Sequence, residues 1–328
     1  TRMKEILDGK RKGKRALWLL SMLYKTGVKL RHTAYQSRLL PIHRVPAVVV
    51  SVGNIVAGGT GKTPLVHLLA STLAADHPVA ILSRGYASEA EEWDEPTRVE
   101  PGMSADEVGD EPLWLAQKLP AVQVWAGRDR VKSAQKAVEN GAEIILLDDG
   151  FQHRRLHRDF DLVVTGDQPY SNGHFLPRGY LRDLPSRLEN ADLIAVMGNQ
   201  KLDVDVPQVV FERKISANLH GKKVALFCAI ANPHRFIQAV ETLGGEMVNT
   251  YIKPDHEPFS LEELNMLART ADILVCTEKD FVKLPKTTLP IMPLPLELSI
   301  AEGDDIWKQF IHQIKTQVQH VRIPSHAS

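Results

Sequence analysis

The 328-residue sequence contains only two cysteines, no net charge, no internal repeat and no apolar run near the ~20 residues needed to cross a bilayer. Each absence removes a class of protein. Cys228 and Cys276 lie singly inside short apolar runs, so neither a disulfide framework nor a zinc-ligand spacing is available. They read as small buried hydrophobes of a chain kept in a reducing, cytoplasmic compartment. Without a long apolar run the chain has no candidate membrane-spanning helix, and without repeats it is not a solenoid. The twenty prolines are dispersed, so no low-complexity linker is present either.

Hydrophobic content of 43% and charged content of 24% suffice for a packed core, and at ~150 residues per domain the length suggests two domains. The zero net charge conceals an asymmetry. Residues 1–44 hold twelve Lys and Arg against only Glu5 and Asp8, so the rest of the chain is acidic. A basic arm on an acidic body points to an anionic partner. Within it, Ala16-Leu17-Trp18-Leu19-Leu20-Ser21-Met22-Leu23-Tyr24 is flanked by cations and carries Trp and Tyr, side chains that favour a lipid–water boundary. The expected structure is an amphipathic helix lying in an anionic membrane surface. The contiguous Leu/Met run favours lipid over nucleic acid, and no small-x-small cleavage pattern follows it.

From Val45 onward, apolar runs alternate with helix-like stretches. Strands are expected at 46–52, 79–83, 121–126, 143–148, 161–165 and 192–197, with helices at 62–75 and 128–140. Bare Val/Ile/Leu runs suit parallel strands buried on both faces. A shorter series follows: strand 222–230, helix 233–243, strand 247–252, helix 261–270, strand 272–277, and a closing helix near 304–318 before a loose tail. Ser260 and Glu263 have capping-box spacing. The sequence therefore predicts an α/β fold: a mostly parallel sheet flanked by helices, a smaller α/β C-terminal domain and an N-terminal amphipathic helix. The expected domains are 1–44, 45–210 and 211–328.

The segment Val48-Val49-Val50-Ser51-Val52-Gly53-Asn54-Ile55-Val56-Ala57-Gly58-Gly59-Thr60-Gly61-Lys62-Thr63-Pro64 runs from an apolar strand through a glycine-rich turn into a helix. This is the setting of a phosphate-binding loop, whose amides turn inward at phosphate oxygens beside a helix N-terminus. Residues Ala57 to Pro64 are the expected ATP-binding stretch, with Lys62 on the β/γ-phosphates and Thr63 on Mg²⁺. Pro64 is compatible with a first helical turn. Val56 stands where the general pattern has Gly, and Ala57 where a common variant has Lys. Downstream, Glu143-Ile144-Ile145-Leu146-Leu147-Asp148-Asp149 is an apolar strand ending in two acids, the expected carboxylate partners of the ion.

These blocks, with Ser83-Arg84-Gly85-Tyr86, Val108-Gly109-Asp110-Glu111-Pro112, Asp148-Asp149-Gly150-Phe151-Gln152-His153, Asp255-His256 and Thr277-Glu278-Lys279-Asp280 in that order, resemble the tetraacyldisaccharide 4′-kinase family over about residues 45–283. The resemblance implies a P-loop fold and transfer of the ATP γ-phosphoryl group to the 4′-hydroxyl of an acylated glucosamine disaccharide 1-phosphate, giving lipid IVA. It implies work at the cytoplasmic face of the bacterial inner membrane, with a glycolipid as partner and no nucleic acid. By motif, Asp110 corresponds to the acid that takes the hydroxyl proton and His256 to the histidine supporting it. Residues 173–183 depart from the family pattern: Asp183 replaces Glu, and is expected to help Thr63, Asp148 and Asp149 hold the metal. Arg84, Arg128 and Arg182 are candidates for phosphate or sugar contacts because a guanidinium fork suits phosphate oxygens. Gln152 and His153, next to the strand-end acids, are expected to face the substrate. The competing reading is a P-loop ATPase or switch protein at the membrane surface, which would turn over ATP without a glycolipid acceptor.

Overall fold

The computed structural model describes residues 15–198 and 200–322. The basic residues before position 15 and the last part of the expected loose tail lie outside the described residues. The apolar runs form β1 (Val48–Gly53), β2 (Val79–Ser83), β4 (Gln123–Ala126), β5 (Ile144–Asp148), β6 (Phe160–Thr165) and β7 (Leu193–Val196). Together with β3 (Thr97–Arg98), β8 (Gln208–Ile215) and β13 (Leu296–Glu302), they build a nine-stranded sheet in the order β13-β8-β7-β6-β1-β5-β2-β4-β3. Only its two outer pairs, β13 with β8 and β3 with β4, are antiparallel.

Strand pleating sends alternate side chains of β1 to opposite faces. Val48, Val50 and Val52 join the core that packs α2 (Lys62–Leu73) and α9 (Asp304–Arg322), whereas Val49 joins Val131, Ala134 and Ala137 of α5 (Arg130–Glu139). Burying each such aliphatic side chain contributes roughly 1.5–3 kcal/mol. α5 starts where the Asp129 carboxylate accepts hydrogen bonds from the Val131 and Lys132 amides and ends before Gly141, whose φ is 86°. The sequence does not predict two helices of this lobe: α3 (Ala105–Val108), with a capping box from Ser104 and Glu107, and α4 (Asp110–Lys118).

A second sheet of β9 (Lys223–Cys228), β10 (Glu246–Ile252), β11 (Ile273–Thr277) and β12 (Ile291–Leu294) runs in the order β10-β9-β11-β12, all parallel. Its helices are α6 (Pro233–Glu241), α7 (Leu261–Ala268), capped by Ser260 and Glu263, and the short α8 (Glu278–Phe281). Cys228 and Cys276 lie buried in this lobe as free thiols, and burial pushes Cys228 up to about 12. The expected division at 210/211 requires correction. It cuts through β8, and β13 and α9 return to the large sheet, where Trp307, Phe310 and Ile314 are buried against it. The small lobe is thus an insertion between β8 and β13.

The N-terminal helix, α1 (Arg15–Gln36), is longer than the apolar run that signalled it. Ser21, Val28, His32 and Tyr35, which share one face by helical spacing, are buried, and the Ser21 hydroxyl donates to the Phe175 carbonyl at 2.8 Å. Trp18, Leu19, Leu20, Met22, Leu23 and Leu30 remain exposed. Among the described residues no helix is long and apolar enough to cross a membrane.

Candidate active site

β1 and β5 lie side by side, with Val52 paired to Asp148, so the glycine-rich turn leaving β1 begins beside the acids that end β5. The turn delivers Lys62 as the first residue of α2. Gly58 and Gly61 have φ of 113° and 93°, a region that side-chain-bearing residues rarely adopt. Gly53 serves a different need: a Cβ there would lie 2.5 Å from Cβ of Phe151, so its absence lets the two strand ends touch. Asn54 donates from Nδ2 to the Thr60 hydroxyl at 2.8 Å and bridges the loop.

The departure at Val56 has a structural reason. Val56 is buried with Ile55, Phe175 and Leu181, and its segment runs against 180–183 through Ala57 N to Tyr180 O at 2.7 Å and Arg182 N to Ile55 O at 2.9 Å. A side chain that would be surplus in an ordinary phosphate loop here docks the segment bearing Arg182. The Arg182 guanidinium then donates to both Asp149 oxygens and to Asn54 Oδ1.

Lys62 Nζ stands 3.4 Å from Asp149 Oδ1. Burial alone would raise the Asp149 carboxyl, but Arg182 and Lys62 prevail and hold it at about 2. Asp148 behaves oppositely. Burial, then the charges of Glu111 and Asp149, push it up to about 7, and its Oδ1 is sealed from solvent without a hydrogen-bond partner. An orphaned buried carboxylate oxygen is what a cation site leaves when only the protein is considered. Among the described residues no three His, Cys, Asp or Glu side chains converge into a ready-made cage. Magnesium does not need one, since it commonly takes one or two carboxylates and completes its shell with phosphate oxygens and water. Thr63, buried at the start of α2, and Asp148 fit that pattern.

Asp183 does not fit. It is fully buried and does not line the cleft. Its Oδ1 accepts from His32 Nε2 at 2.7 Å and from the Leu184 amide at 2.8 Å; Oδ2 accepts from Arg187 at 2.9 Å and Gln152 Nε2 at 3.2 Å. Four donors leave it no free lone pair directed at an ion, so the expectation that Asp183 helps hold the metal is corrected: it is an anchor for α1. His32 in turn accepts from Arg154 at Nδ1, 2.6 Å away, which makes it a neutral imidazole protonated on Nε2. Burial lowers its pKa accordingly.

The second lobe contributes across the cleft. His256, at φ 68°, places Nδ1 2.9 Å from Asp110 Oδ2, while Asp110 Oδ1 accepts from the Glu111 amide at 2.9 Å. Burial acts to raise Asp110, but His256 and Lys279 outweigh it and keep the carboxyl below its usual range. His256 is raised, first by its hydrogen bond to Asp110. Lys279 pairs with Glu111, Lys118 with Glu278, and Lys283 lies 3.8 Å from Asp110. Glu111 and Lys279 sit inside motif blocks noticed in the sequence, yet neither was given a role there; their adjacency to Asp110 and to the strand end at Thr277 was the available signal.

The remaining candidates divide. Arg84 and Arg128 line the cleft and are exposed, Arg84 pairing with Glu91 at 2.8 Å. Gln152 donates to the Asn54 carbonyl at 2.8 Å as well as to Asp183, so much of its hydrogen-bonding capacity goes to supporting the loop. His153 lines the cleft with Nε2 buried and unpartnered, and burial with Arg130 and Arg155 nearby lowers it to about 4. Arg130, missed in the sequence, is buried on the same wall and donates to the Gly127 carbonyl. The cleft enclosed by these groups measures about 1610 Å³. That exceeds the ~300–1,000 Å³ of a typical single-ligand pocket and leaves room for two reactants.

A family model described as tetraacyldisaccharide-1-P 4′-kinase (LpxK) matches residues 13–315. A tetraacyldisaccharide 4′-kinase of Chlamydia abortus is 37% identical over an alignment covering 90% of this chain and 89% of that protein. One of Syntrophus aciditrophicus is 35% identical, covering 87% and 88%. Among solved structures, LpxK from Aquifex aeolicus in complex with ATP superposes with a TM-score of 0.78 at 30% identity, over 91% of this chain and 98% of that one.

Proposed function

The chain belongs to the tetraacyldisaccharide 4′-kinase family, and on that premise we propose that its two lobes share one phosphoryl transfer. Loop 57–64 holds ATP, and Asp110 with His256 prepares the acceptor. The reaction carries the γ-phosphoryl group of ATP to the 4′-hydroxyl of tetraacyldisaccharide 1-phosphate and yields lipid IVA for lipid A synthesis.

The 4′-oxygen forms its bond to the γ-phosphorus as the bond to the β,γ-bridging oxygen breaks, and ADP leaves. In a loose transition state the hydroxyl proton departs late, so Asp110 chiefly orients the hydroxyl and then receives the proton. His256 fixes the carboxylate through its 2.9 Å contact and shares the proton. Lys62 and the amides of residues 58–63 stabilise charge on the β- and γ-phosphates. Thr63 and Asp148 are the residues that would hold magnesium, which would supply charge neutralisation at the phosphates, while Asp149 steers Lys62 and Arg182. Arg84, Arg128, Arg182, Gln152 and His153 line the same cleft as candidate contacts to phosphate or sugar.

One observation carries this reading: the Asp110–His256 contact spans the two lobes and opens onto the cleft that also contains Lys62 and the glycine-rich loop. Incubation with γ-labelled ATP and the disaccharide 1-phosphate should yield a labelled bis-phosphorylated lipid. ATP turnover indifferent to that acceptor would instead favour the switch-type ATPase.

The exposed apolar face of α1 supports a membrane-surface location at the cytoplasmic face of the inner membrane. Trp18, Leu19, Leu20 and Leu23 would dip into the acyl boundary while flanking Lys and Arg meet anionic headgroups. Tyr24, Gly27, Val28 and Arg31 of the same helix line the cleft, so a lipid-borne hydroxyl could reach Asp110 without leaving the surface.

A further inference from the structure

Arg213, on β8, enters the cleft beside the glycine-rich loop with its charge unanswered. One of its terminal nitrogens donates to the Thr60 carbonyl at 2.9 Å, and its Nε is shut off from solvent without a partner. Among the described residues it makes no ion pair, and burial lowers its pKa. Other enclosed arginines have acids to answer them: Arg187 meets Asp183, Arg158 meets Asp161 and Arg182 meets Asp149. Arg130, though its hydrogen bond goes to the Gly127 carbonyl, lies within the field of Asp148 and Asp149, whereas burial alone acts on Arg213. A guanidinium carries five N–H donors, and enclosing the cation without a counter-charge is unfavourable. Such an arrangement suits a position where an anion arrives from outside.

The position is specific. A Cβ on Gly61 would lie 2.5 Å from the Arg213 guanidinium, so the side chain rests directly on the N-terminus of α2, whose free amides already favour negative charge. In the sheet, β5 with its acids lies on one side of β1, toward β2 and β4, against which α4 with Asp110 packs. Arg213 comes from β8 on the opposite side. A phosphate chain laid along the loop, with its reacting end toward Asp110, has its inner phosphates toward β8. We propose that Arg213 is a nucleotide-binding residue that contacts the α- and β-phosphate oxygens. This rests on the reading of loop 57–64 as the ATP site. Thr60 holds the guanidinium ready before nucleotide arrives, and the phosphates supply the missing counter-charge.

The test compares Arg213→Gln, which can still donate to the Thr60 carbonyl but carries no charge, with Arg213→Lys and wild type in the full chain. Calorimetric titration with ADP and with ATP should show the Gln variant weakened by about tenfold or more for both nucleotides, from loss of charge-assisted hydrogen bonds. The affinity of wild type should also fall more steeply with salt than that of the variant. Without nucleotide, the Gln variant should melt no lower than wild type, because removing an unpaired enclosed charge relieves a cost. Unchanged ADP affinity, or a loss confined to ATP, would overturn the assignment. A second measurement keeps the folded cation: pyrophosphate should raise the melting temperature of wild type more than that of Arg213→Lys, and equal shifts would also overturn it. Failure of the underlying reading looks different, because then wild type and Lys62→Ala bind ADP equally or not at all.

Discussion

His256 and Asp110 lie 146 positions apart in the chain and in different lobes, yet their side chains meet at 2.9 Å, and each shifts the other toward its charged form. His256 is raised above 6.5 chiefly because Asp110 accepts its proton-bearing nitrogen. Asp110→Asn should therefore return the His256 titration to or below 6.5, readable by NMR. The same variant should lose about 10²–10⁴-fold in product formation, the usual scale of a general acid–base contribution. A histidine titration indifferent to Asp110→Asn would sink the pairing.

The same pair carries a stability signature. A group whose folded pKa is raised stabilises the fold fully below its unfolded pKa and loses that contribution as pH rises through the folded value. The lobe contact made by His256 should thus weaken on the alkaline side of 6.5. Thermal melts of wild type and His256→Gln should differ most below that pH and converge above it.

Much of this was legible in the sequence because it depends on local chemistry. A glycine-rich turn between an apolar strand and a helix can be read from the residues alone, and Ile144–Asp148 announces its own burial and its acidic end. Asp183 was misread because its environment is remote: the histidine that occupies it sits on α1, 151 positions away, and no spacing encodes that contact. The boundary at 210 failed for a related reason. β8 alternates buried and exposed residues as an outer strand can, and its antiparallel partner Leu296–Glu302 follows only after the entire small lobe. Arg213 had no signal at all, being one arginine in an alternating strand.

Asp183 yields a prediction that separates the anchor role from metal binding. Burial would raise it, but Arg187 and His32 lower it, so its contribution is present above the ordinary carboxylate pKa and lost as pH falls through the depressed folded value. Removing one partner of a buried charged network costs about 3–5 kcal/mol. Asp183→Asn should destabilise the protein on that scale near neutral pH, and the gap should close in acid. If the variant melts like wild type and loses only magnesium affinity, the metal-ligand role returns.

Lys62 and Arg182 both hold Asp149 ionised, but their roles differ. On the proposed function, Lys62→Ala removes the cation assigned to the β- and γ-phosphates and should cut product formation by about 10²-fold or more, the scale of a lost electrostatic stabiliser. Arg182→Gln releases both Asp149 and Asn54, and Asn54 in turn bridges to Thr60. Its first effect should be a higher KM for ATP, as the loop loses definition. Steady-state kinetics on the two variants distinguish these patterns.

The exposed face of α1 makes a separable claim. Ser21, Val28, His32 and Tyr35 hold the helix to the body, so changes at Leu19, Leu20 and Leu23 leave that packing in place. Each buried methylene contributes about 0.8 kcal/mol to interfacial binding. Replacing the three leucines with Glu removes several methylenes from the acyl boundary and adds charge that anionic headgroups repel. Sedimentation with phosphatidylglycerol-containing vesicles should fall by about tenfold or more, while ADP affinity stays at the wild-type value. Wild-type vesicle binding by the triple variant would show that the apolar face does not meet lipid. Loss of ADP binding alongside vesicle binding would show that the face is instead part of the catalytic body.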